Sequence, residues 1–491
     1  MSREAKLFEP QGKPFTAAFF LLLHRINRGR LRQKKYSGGL KLEQVSLTTK
    51  FFSNRDLFKL FLPLVIEQFL EYLVGLADSI MVANVSESAV SGVSLVDFVM
   101  ALFISLFAAL STGGAVIAGQ YLGKGQTDKS REAANQLIWF AGAVSVIIMM
   151  LVYVAKPLIL NGLFGRITDD VRGDANTYLM ITALSIPFLA LYNAGAAVFR
   201  TMGNSKLPMK VMLAMNIAHA AGNAVLIYGF HYGVEGVAIP TLLSRIAAAV
   251  IIIALAFDRK RTLYLMKSLK HKFDLSMLKK ILGIGIPYGL ENGLFYFGRI
   301  VVLSLVATFG TAAIAANAVS GTIVMFQALP GLAIGLGMTV VISRCIGAGD
   351  YTQARYYTKK IMKIVYLAQI VSCTVVLALL SSILHVYGLS EMATSLTTKI
   401  VWCHGIFMVF IWPLAYTLPV TFRAAGDARF PMVIGSLSML FCRIALAYLL
   451  GIYFHMGMFG TWVAMFIDWI VKAIIFIYRY ISGKWVRFRV I

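Results

Sequence analysis

Apolar residues in this chain run together in long blocks rather than alternating with polar ones, and short polar stretches separate the blocks. Twelve blocks stand out, at 57–83, 93–121, 134–155, 177–199, 209–230, 234–257, 277–307, 313–343, 361–384, 397–421, 432–454 and 458–481. Each matches the roughly 20 residues that a helix needs to cross a hydrocarbon layer ~30 Å thick. The pattern predicts an all-α polytopic membrane protein with twelve transmembrane helices. Composition agrees, since 59% of the 491 residues are hydrophobic, only 14% are charged and mean hydropathy is +0.76. A soluble protein carries about 25% charged residues. This chain has too few to coat a water-facing surface.

The net charge of +24 changes meaning once it is placed along the chain. With the N-terminus inside, the even-numbered connections hold Lys124, Lys129 and Arg131; Arg200, Lys206 and Lys210; Arg259, Lys260, Arg261, Lys267, Lys270 and Lys272; Arg344, Arg355 and Lys359; then Arg423 and Arg429. The opposite connections are short and nearly free of Lys and Arg, apart from 156–172, where acids offset the bases. This alternation is the positive-inside pattern, which places both termini in the cytoplasm and the protein in the cell's inner (plasma) membrane. The basic surplus then serves topology and contact with anionic lipid headgroups, not binding of nucleic acid.

Two smaller features follow. Residues 15–23 form a nine-residue apolar run followed by Arg25, Arg28, Arg30, Arg32, Lys34 and Lys35. The run is too short to span, and without a small-residue cleavage site it does not read as a signal peptide. It is expected to lie on the membrane surface. Cys345, Cys373, Cys403 and Cys442 sit in or beside apolar blocks without metal-ligand spacing and are expected to be free thiols.

The chain also repeats itself. Residues 57–135 slide onto 281–359 at one offset of 224, without a gap, so that Pro63 meets Pro287, Glu67 meets Glu291, Gln68 meets Asn292, Gly123 meets Gly347, Gly125 meets Gly349 and Arg131 meets Arg355. After one deletion, Phe-Arg-Thr-Met-Gly-Asn-Ser-Lys-Leu-Pro-Met at 199–209 matches Phe-Arg-Ala-Ala-Gly-Asp-Ala-Arg-Phe-Pro-Met at 422–432. Six spans per half is an even number, so the copies enter the membrane from the same side and form parallel repeats about an axis along its normal. The expected organisation is a cytoplasmic tail at 1–56, a first lobe at 57–257, a basic cytoplasmic linker at 258–276, a second lobe at 277–481 and a cytoplasmic tail at 482–491.

The stretch Pro63-Leu-Val-Ile-Glu67-Gln68, then Gly75-Leu-Ala-Asp78-Ser-Ile-Met-Val, Gly113-Gly114 and Gln120-Tyr-Leu-Gly-Lys-Gly125, resembles the bacterial multidrug and toxic compound extrusion (MATE) family. Gly285-Ile-Pro287-Tyr-Gly-Leu-Glu291-Asn292 and the two Phe-Arg-x-x-Gly segments fit as well, and the likeness covers roughly 57–481. The resemblance implies a V-shaped bundle of two six-helix lobes, not an enzyme. It implies alternating access with export of organic cations or amphipathic drugs or metabolites against entry of Na⁺ or H⁺. It further implies a monomer with a small-molecule substrate and no cofactor beyond the coupling ion.

Candidate chemistry concentrates on the first span. Ionisable groups in lipid cost ~2.5–3.5 kcal/mol each, so Glu67, Glu71 and Asp78 together would cost roughly 8–10 kcal/mol if left facing acyl chains. At about 100° per residue they lie within about 40° of one another on one stripe, which must face the bundle interior or a water-filled cavity. A proton on one carboxyl, or a Na⁺ among oxygen ligands, neutralises the stripe. Competition between that cation and a cationic solute supplies a coupling free energy. The resemblance makes Asp78 the coupling aspartate. Where the family often has an Asn and an Asp four residues on, this chain has His219 and Asn223, with Asn216 a turn away and Thr241 on the sixth span. Asp78, Asn223 and Thr241 are the candidate Na⁺ ligands. The missing second aspartate weakens such a site, and His219 makes proton involvement easier.

In the second lobe Glu291 and Arg299 are the candidates, while the tenth span offers only Lys399 and His404 in place of an acid. Glu67 and Glu291 hold matching places, which also suits a shared architectural role. Asp468 and Lys472, four residues apart, suit mutual neutralisation. Arg245, Arg299 and Arg443 are possible partners for the acids, with no assignment among them. Two rival functions remain open at this point. A flippase for a lipid-linked precursor or polysaccharide would call for a basic cavity and usually fourteen spans. An intramembrane transferase would call for an Asp-rich metal motif or a His/Asp pair at a membrane edge.

Overall fold

The structure, a computed structural model, describes residues 50–163, 167–266, 272–488 and 490–491. The proposed surface segment at 15–23 lies outside these residues. We label the principal helices in chain order. The first half holds α1 (Asn54–Ala83), α2 (Glu87–Gly123), α3 (Thr127–Gly162), α4 (Asp169–Ala183), α5 (Ile186–Thr201), α6 (Lys206–Gly229) and α7 (Glu235–Ala256). The second holds α8 (Leu275–Ala307), α9 (Thr311–Gly347), α10 (Tyr351–Tyr387), α11 (Glu391–Phe410), α12 (Leu418–Ala424), α13 (Arg429–Tyr453) and α14 (Gly457–Ile481). Each helix of the first half thus has its counterpart seven labels later. Among the described residues eleven helices are long and apolar enough to cross a membrane, and the bent pair α4–α5 supplies a twelfth span. The protein is an all-α membrane bundle of two six-span repeats.

Local sequence sets the ends of these helices. Ser53 opens α1 with a capping box, accepting from Asp56 N–H while its own N–H donates to the Asp56 carboxylate. Ser86, Asp274, Asp350 and Ser390 cap α2, α8, α10 and α11 in the same sense, their side chains accepting first-turn amides. The α2–α3 and α9–α10 turns need a left-handed residue, which Gly125 (φ 78°) and its repeat partner Gly349 (φ 75°) provide.

The helices overrun the apolar blocks. The block at 93–121 becomes the 37 residues Glu87–Gly123, because polar end turns such as Glu87-Ser88 are helical without being apolar. The fourth span bends by 47° between Ala183 and Ile186. Its counterpart breaks at a π-helical turn, Pro413–Thr417, between α11 and α12.

Packing divides the bundle along its length. One core cluster unites both halves at the end bearing the basic connections, and includes Leu60, Phe61, Val116, Phe199, Met338, Ile342 and Phe422. Towards the other end the cores separate. One is built within the first half around Val96, Phe107 and Leu179, the other within the second around Ile323, Ile400 and Trp469. Hydrogen bonds repeat this division. At the basic end Tyr357 Oη and the Phe52 backbone exchange two bonds of 2.8 and 2.7 Å, Gln120 donates to Ala424 O at 2.8 Å, and Arg344 donates to Thr201 O. About midway, Tyr72 Oη donates to Thr322 O at 2.9 Å. The tightest seam is where α2 crosses α9. A Cβ at Gly123 would collide with Arg344 O, and one at Gly347 with Gln120 O.

The termini of the described chain reinforce the basic end. Trp485, in the tail after α14, is wholly buried and stacks on Tyr480. The described linker residues lie on α3, with Arg131 Nε donating to Thr262 O and Met266 N–H to Asn135 Oδ1.

Candidate functional site

The three acids of α1 meet different fates. Glu67 is buried and accepts from Arg200 Nη2 at 2.5 Å, with Tyr192 Oη at 3.5 Å. Its repeat partner Glu291 receives Arg423 Nη2 on both carboxylate oxygens, at 2.8 and 2.7 Å, and Arg423 also stacks over Tyr288 at 4.3 Å. Each half therefore ties its first helix to the end of its fifth with a matched Glu–Arg pair. The sequence assigns Arg200 and Arg423 to cytoplasmic connections, yet both turn back into the bundle. Their position inside a Phe-Arg-x-x-Gly segment was the available signal, because Phe199 and Phe422 are wholly buried and draw their neighbours inward.

Asp78 sits differently. Asn223 Nδ2 donates to its Oδ1 at 2.8 Å, and His219 Nδ1 stands 3.6 Å from its Oδ2. His219 Nε2 lies 2.9 Å from Thr241 Oγ1, and that hydroxyl donates to Val237 O at 2.8 Å. The structure thus brings together Asp78 from α1, His219 and Asn223 from α6 and Thr241 from α7. His219, Asn223 and Thr241 are buried, while the Asp78 side chain keeps 24% of its surface open. Turn spacing explains the convergence, since His219 and Asn223 are four residues apart on one face of α6.

These groups line a cavity of about 460 Å³, within the range of small-molecule sites. Glu67, Glu71, Asn216 and Arg245 share its wall. Glu71 is exposed to it and accepts from Gln68 Nε2 at 2.8 Å. Asn216 is buried, and its Nδ2 has no acceptor among the described residues. Arg245 donates to Ser185 Oγ at 2.7 Å.

One acid escaped sequence reasoning. Asp97 on α2 accepts from Tyr178 Oη of α4 at 3.0 Å. It is the one acid inside the apolar block at 93–121, as legible as Asp78, but it stands alone in that block and outside the α1 stripe.

The second half is arranged otherwise. Asp468 and Lys472 pair at 3.0 Å and Ser438 donates to the same carboxylate, so this couple is internal to the packing of α13 and α14. His404 is buried against Gln327, Nδ1 to Oε1 2.6 Å, among Trp462, Phe466 and Trp469. Lys399 rests over the Phe459 ring. Arg299 is exposed and, among the described residues, not joined to Glu291 or any other carboxylate.

Two six-span repeats joined at one end by a shared core, with a cavity in the first half that holds ionisable side chains within the apolar depth, define a membrane transporter rather than an enzyme. A model of the MatE family matches residues 63–225 and again 287–449, one match in each half, and the chain belongs to that family. It is 29% identical over 440 residues to an uncharacterized transporter, YisQ, of Bacillus subtilis, a match spanning 88% of this chain and 95% of that one. It is 24% identical over 437 residues to a probable multidrug resistance protein NorM of Thermotoga maritima, covering 88% and 93% of the two chains. In fold it matches the outward-facing structure of a multidrug resistance MATE family transporter of the MOP superfamily, with a TM-score of 0.81 at 18% identity over 89% of this chain and 97% of that one.

Proposed function

We propose that this transporter exports amphipathic organic cations in exchange for protons, and that the proton resides between Asp78 and His219. The observation that carries the reading is the chain of contacts Asp78–His219–Thr241. Thr241 spends its only hydroxyl hydrogen on Val237 O, so it accepts from His219, whose Nε2 must then carry the hydrogen. Nδ1 is left facing the Asp78 carboxylate at 3.6 Å. One further proton satisfies that gap, whether it rests on the carboxyl or on the ring. With it the site is closed and matched; without it an imidazole lone pair and a carboxylate face each other and favour any cation that arrives. A cationic solute and the proton therefore exclude each other, which is the requirement for exchange.

Na⁺ fits this donor set less well, because Asn223 turns its amide nitrogen to Asp78 and Thr241 is engaged by His219. A hard cation takes oxygen ligands. The bundle is joined at the basic end and parted at the other. With the basic end in the cytoplasm of the inner membrane, by the positive-inside pattern, the cavity faces outward, ready to release solute and take up a proton.

The test is efflux of ethidium from proteoliposomes under separately imposed pH and Na⁺ gradients, comparing the wild type with Asp78→Asn. A pH gradient drives the wild type, a Na⁺ gradient alone does not, and Asp78→Asn responds to neither. Transport driven by Na⁺ alone, or an undiminished Asp78→Asn variant, refutes the assignment.

A further inference from the structure

The two halves have diverged in opposite electrical senses. At the repeat offset of 224, Glu67 keeps its counterpart in Glu291, but Glu71 corresponds to Phe295 and Asp78 to Val302, so the second half lacks two of the three acids of the first. In return Gly75, which lines the first-half cavity, corresponds to Arg299. At the offset of 223 that holds after the deletion, Ala220, beside His219, corresponds to Arg443. These two arginines share one neighbourhood. Phe295 and Arg299 are one turn apart on the same face of α8, and Arg443, Tyr296, Tyr72 and Tyr416 are near enough to Arg299 to act on its charge. Arg443 lies over the ring of Phe295 at 5.4 Å.

Tyr72 fixes where this neighbourhood is. It belongs to α1, packs edge-on against Phe326 of α9 and donates to Thr322 O, so it stands between the halves and not against lipid. Arg299 is exposed, and Tyr72 is among its electrostatic neighbours, which sets it beside this seam. Among the described residues of the second half, Arg423 pairs with Glu291, Lys472 with Asp468 and Arg479 with Asp427, while Arg344 is taken up by Thr201 O. Among the described residues neither Arg299 nor Arg443 has a carboxylate partner. Charges at membrane depth mark solute or ion pathways, and the planar guanidinium matches a carboxylate or phosphate through two parallel hydrogen bonds.

We infer that Arg299 and Arg443 form an anion-receiving wall, so that the transported solute bears a carboxylate or phosphate as well as a cationic group. The solute lies across the seam with its cationic end towards Glu71 and Asp78 and its anionic end on the second half. This deepens the exporter reading and rests on it for the direction of transport, but not on the identity of the coupling ion.

The experiment uses a matched pair of fluorescent amphipaths, tetramethylrhodamine with its free carboxylate and tetramethylrhodamine methyl ester, which keeps only the cation. Binding to the purified full chain in phosphatidylcholine nanodiscs is followed by anisotropy. The wild type binds the carboxylate probe about tenfold more tightly or better, the scale of a charge-assisted hydrogen bond. Arg299→Gln/Arg443→Gln brings the ratio to about one with the ester's affinity unchanged, and the Lys/Lys variant restores part of the preference. Arg443→Gln alone is read in the same way if the double variant is not monodisperse. Equal affinities in the wild type, or equal loss for both probes in the variants, overturns the proposal. Anionic lipid headgroups offer the same chemistry. Nanodiscs containing phosphatidylglycerol distinguish them: an unchanged ratio supports a solute site, and a ratio abolished by the lipid assigns the arginines to headgroups and overturns it. Because binding is measured without a gradient, failure of proton-driven ethidium efflux leaves this ratio intact. Loss of the ratio leaves that efflux intact.

Discussion

Removing Arg200 from its pair with Glu67 isolates a carboxylate whose side chain is only 2% exposed, and this makes the sharpest test of the architecture. Arg200→Met keeps much of the apolar stem while deleting the guanidinium. Breaking a buried pair by taking one partner costs about 3–5 kcal/mol, because the remaining charge stays desolvated. Taking both partners, Glu67→Gln with Arg200→Met, leaves no orphan charge and is expected to cost roughly 0–2 kcal/mol, since neutral replacements of buried pairs are often tolerated. The difference between the single and double variants, not the absolute loss, carries the argument.

The chain supplies its own reporters, as Cys345 and Cys373 are buried and react with a fluorogenic maleimide only when the bundle opens. At roughly 2–4 °C per kcal/mol, the value for units of 150–250 residues, the single variant melts on the order of 10 °C below the wild type and the double variant recovers most of that. Equal melting of the two variants, or a single variant within about 2 °C of the wild type, refutes the claim that the Glu67–Arg200 pair holds α1 to the end of α5. The Glu291→Gln variant is expected to be milder. Glu291 is 19% exposed, and Arg423 retains its stacking over Tyr288.

Three further outcomes are expected. His219→Gln retains a hydrogen bond to Thr241 but cannot carry the extra proton, so pH-driven ethidium efflux in proteoliposomes falls by about tenfold or more, within the range for a positioned proton-transfer group; undiminished efflux removes His219 from the mechanism. Gly347→Val drives a side chain into Gln120 O at the α2–α9 crossing, and should cost about 1–3 kcal/mol of closure while making a cysteine placed at Ser343 newly reactive to an aqueous maleimide. Tyr357→Phe removes both hydrogen bonds to the Phe52 backbone and should lower the apparent melting temperature by an amount equivalent to about 1–3 kcal/mol, measured by the same thiol assay; no change would mean that the segment before α1 is not anchored there.

Much of this was legible from the chain alone, for identifiable reasons. Spans were readable because lipid enforces a long apolar run for each helix, and the repeat because Pro63/Pro287, Glu67/Glu291 and Gly123/Gly347 keep register without a gap. The convergence of Asp78 with His219, Asn223 and Thr241 followed from family likeness and helical spacing. What could not be read was pairing between distant segments. Arg200 and Arg423 look like loop charges until the bend of the fourth span and the π turn of the tenth bring them back to α1 and α8. Asp97 was passed over because a single acid has no periodicity to reveal its face, and its partner Tyr178 is 81 residues away. The polar end turns of α2, α9 and α10 were missed for the opposite reason, since helicity there owes nothing to apolar patterning.

The bare backbone contact between α2 and α9 has a consequence for how the transporter turns over. Interlocked side chains would have to be withdrawn one by one before the halves could part at the basic end, and each rotamer change would add to the barrier. Where glycine meets carbonyl oxygen no side chains interlock, so that what must be released at the crossing is the hydrogen bond of Gln120 to Ala424 O and that of Arg344 to Thr201 O. The two surfaces can slide or lift as smooth rails, while the Glu–Arg staple keeps each half from deforming. On the exchange mechanism proposed above, any residue larger than glycine at 123 or 347 is expected to slow efflux from proteoliposomes even in a protein that still binds its solute.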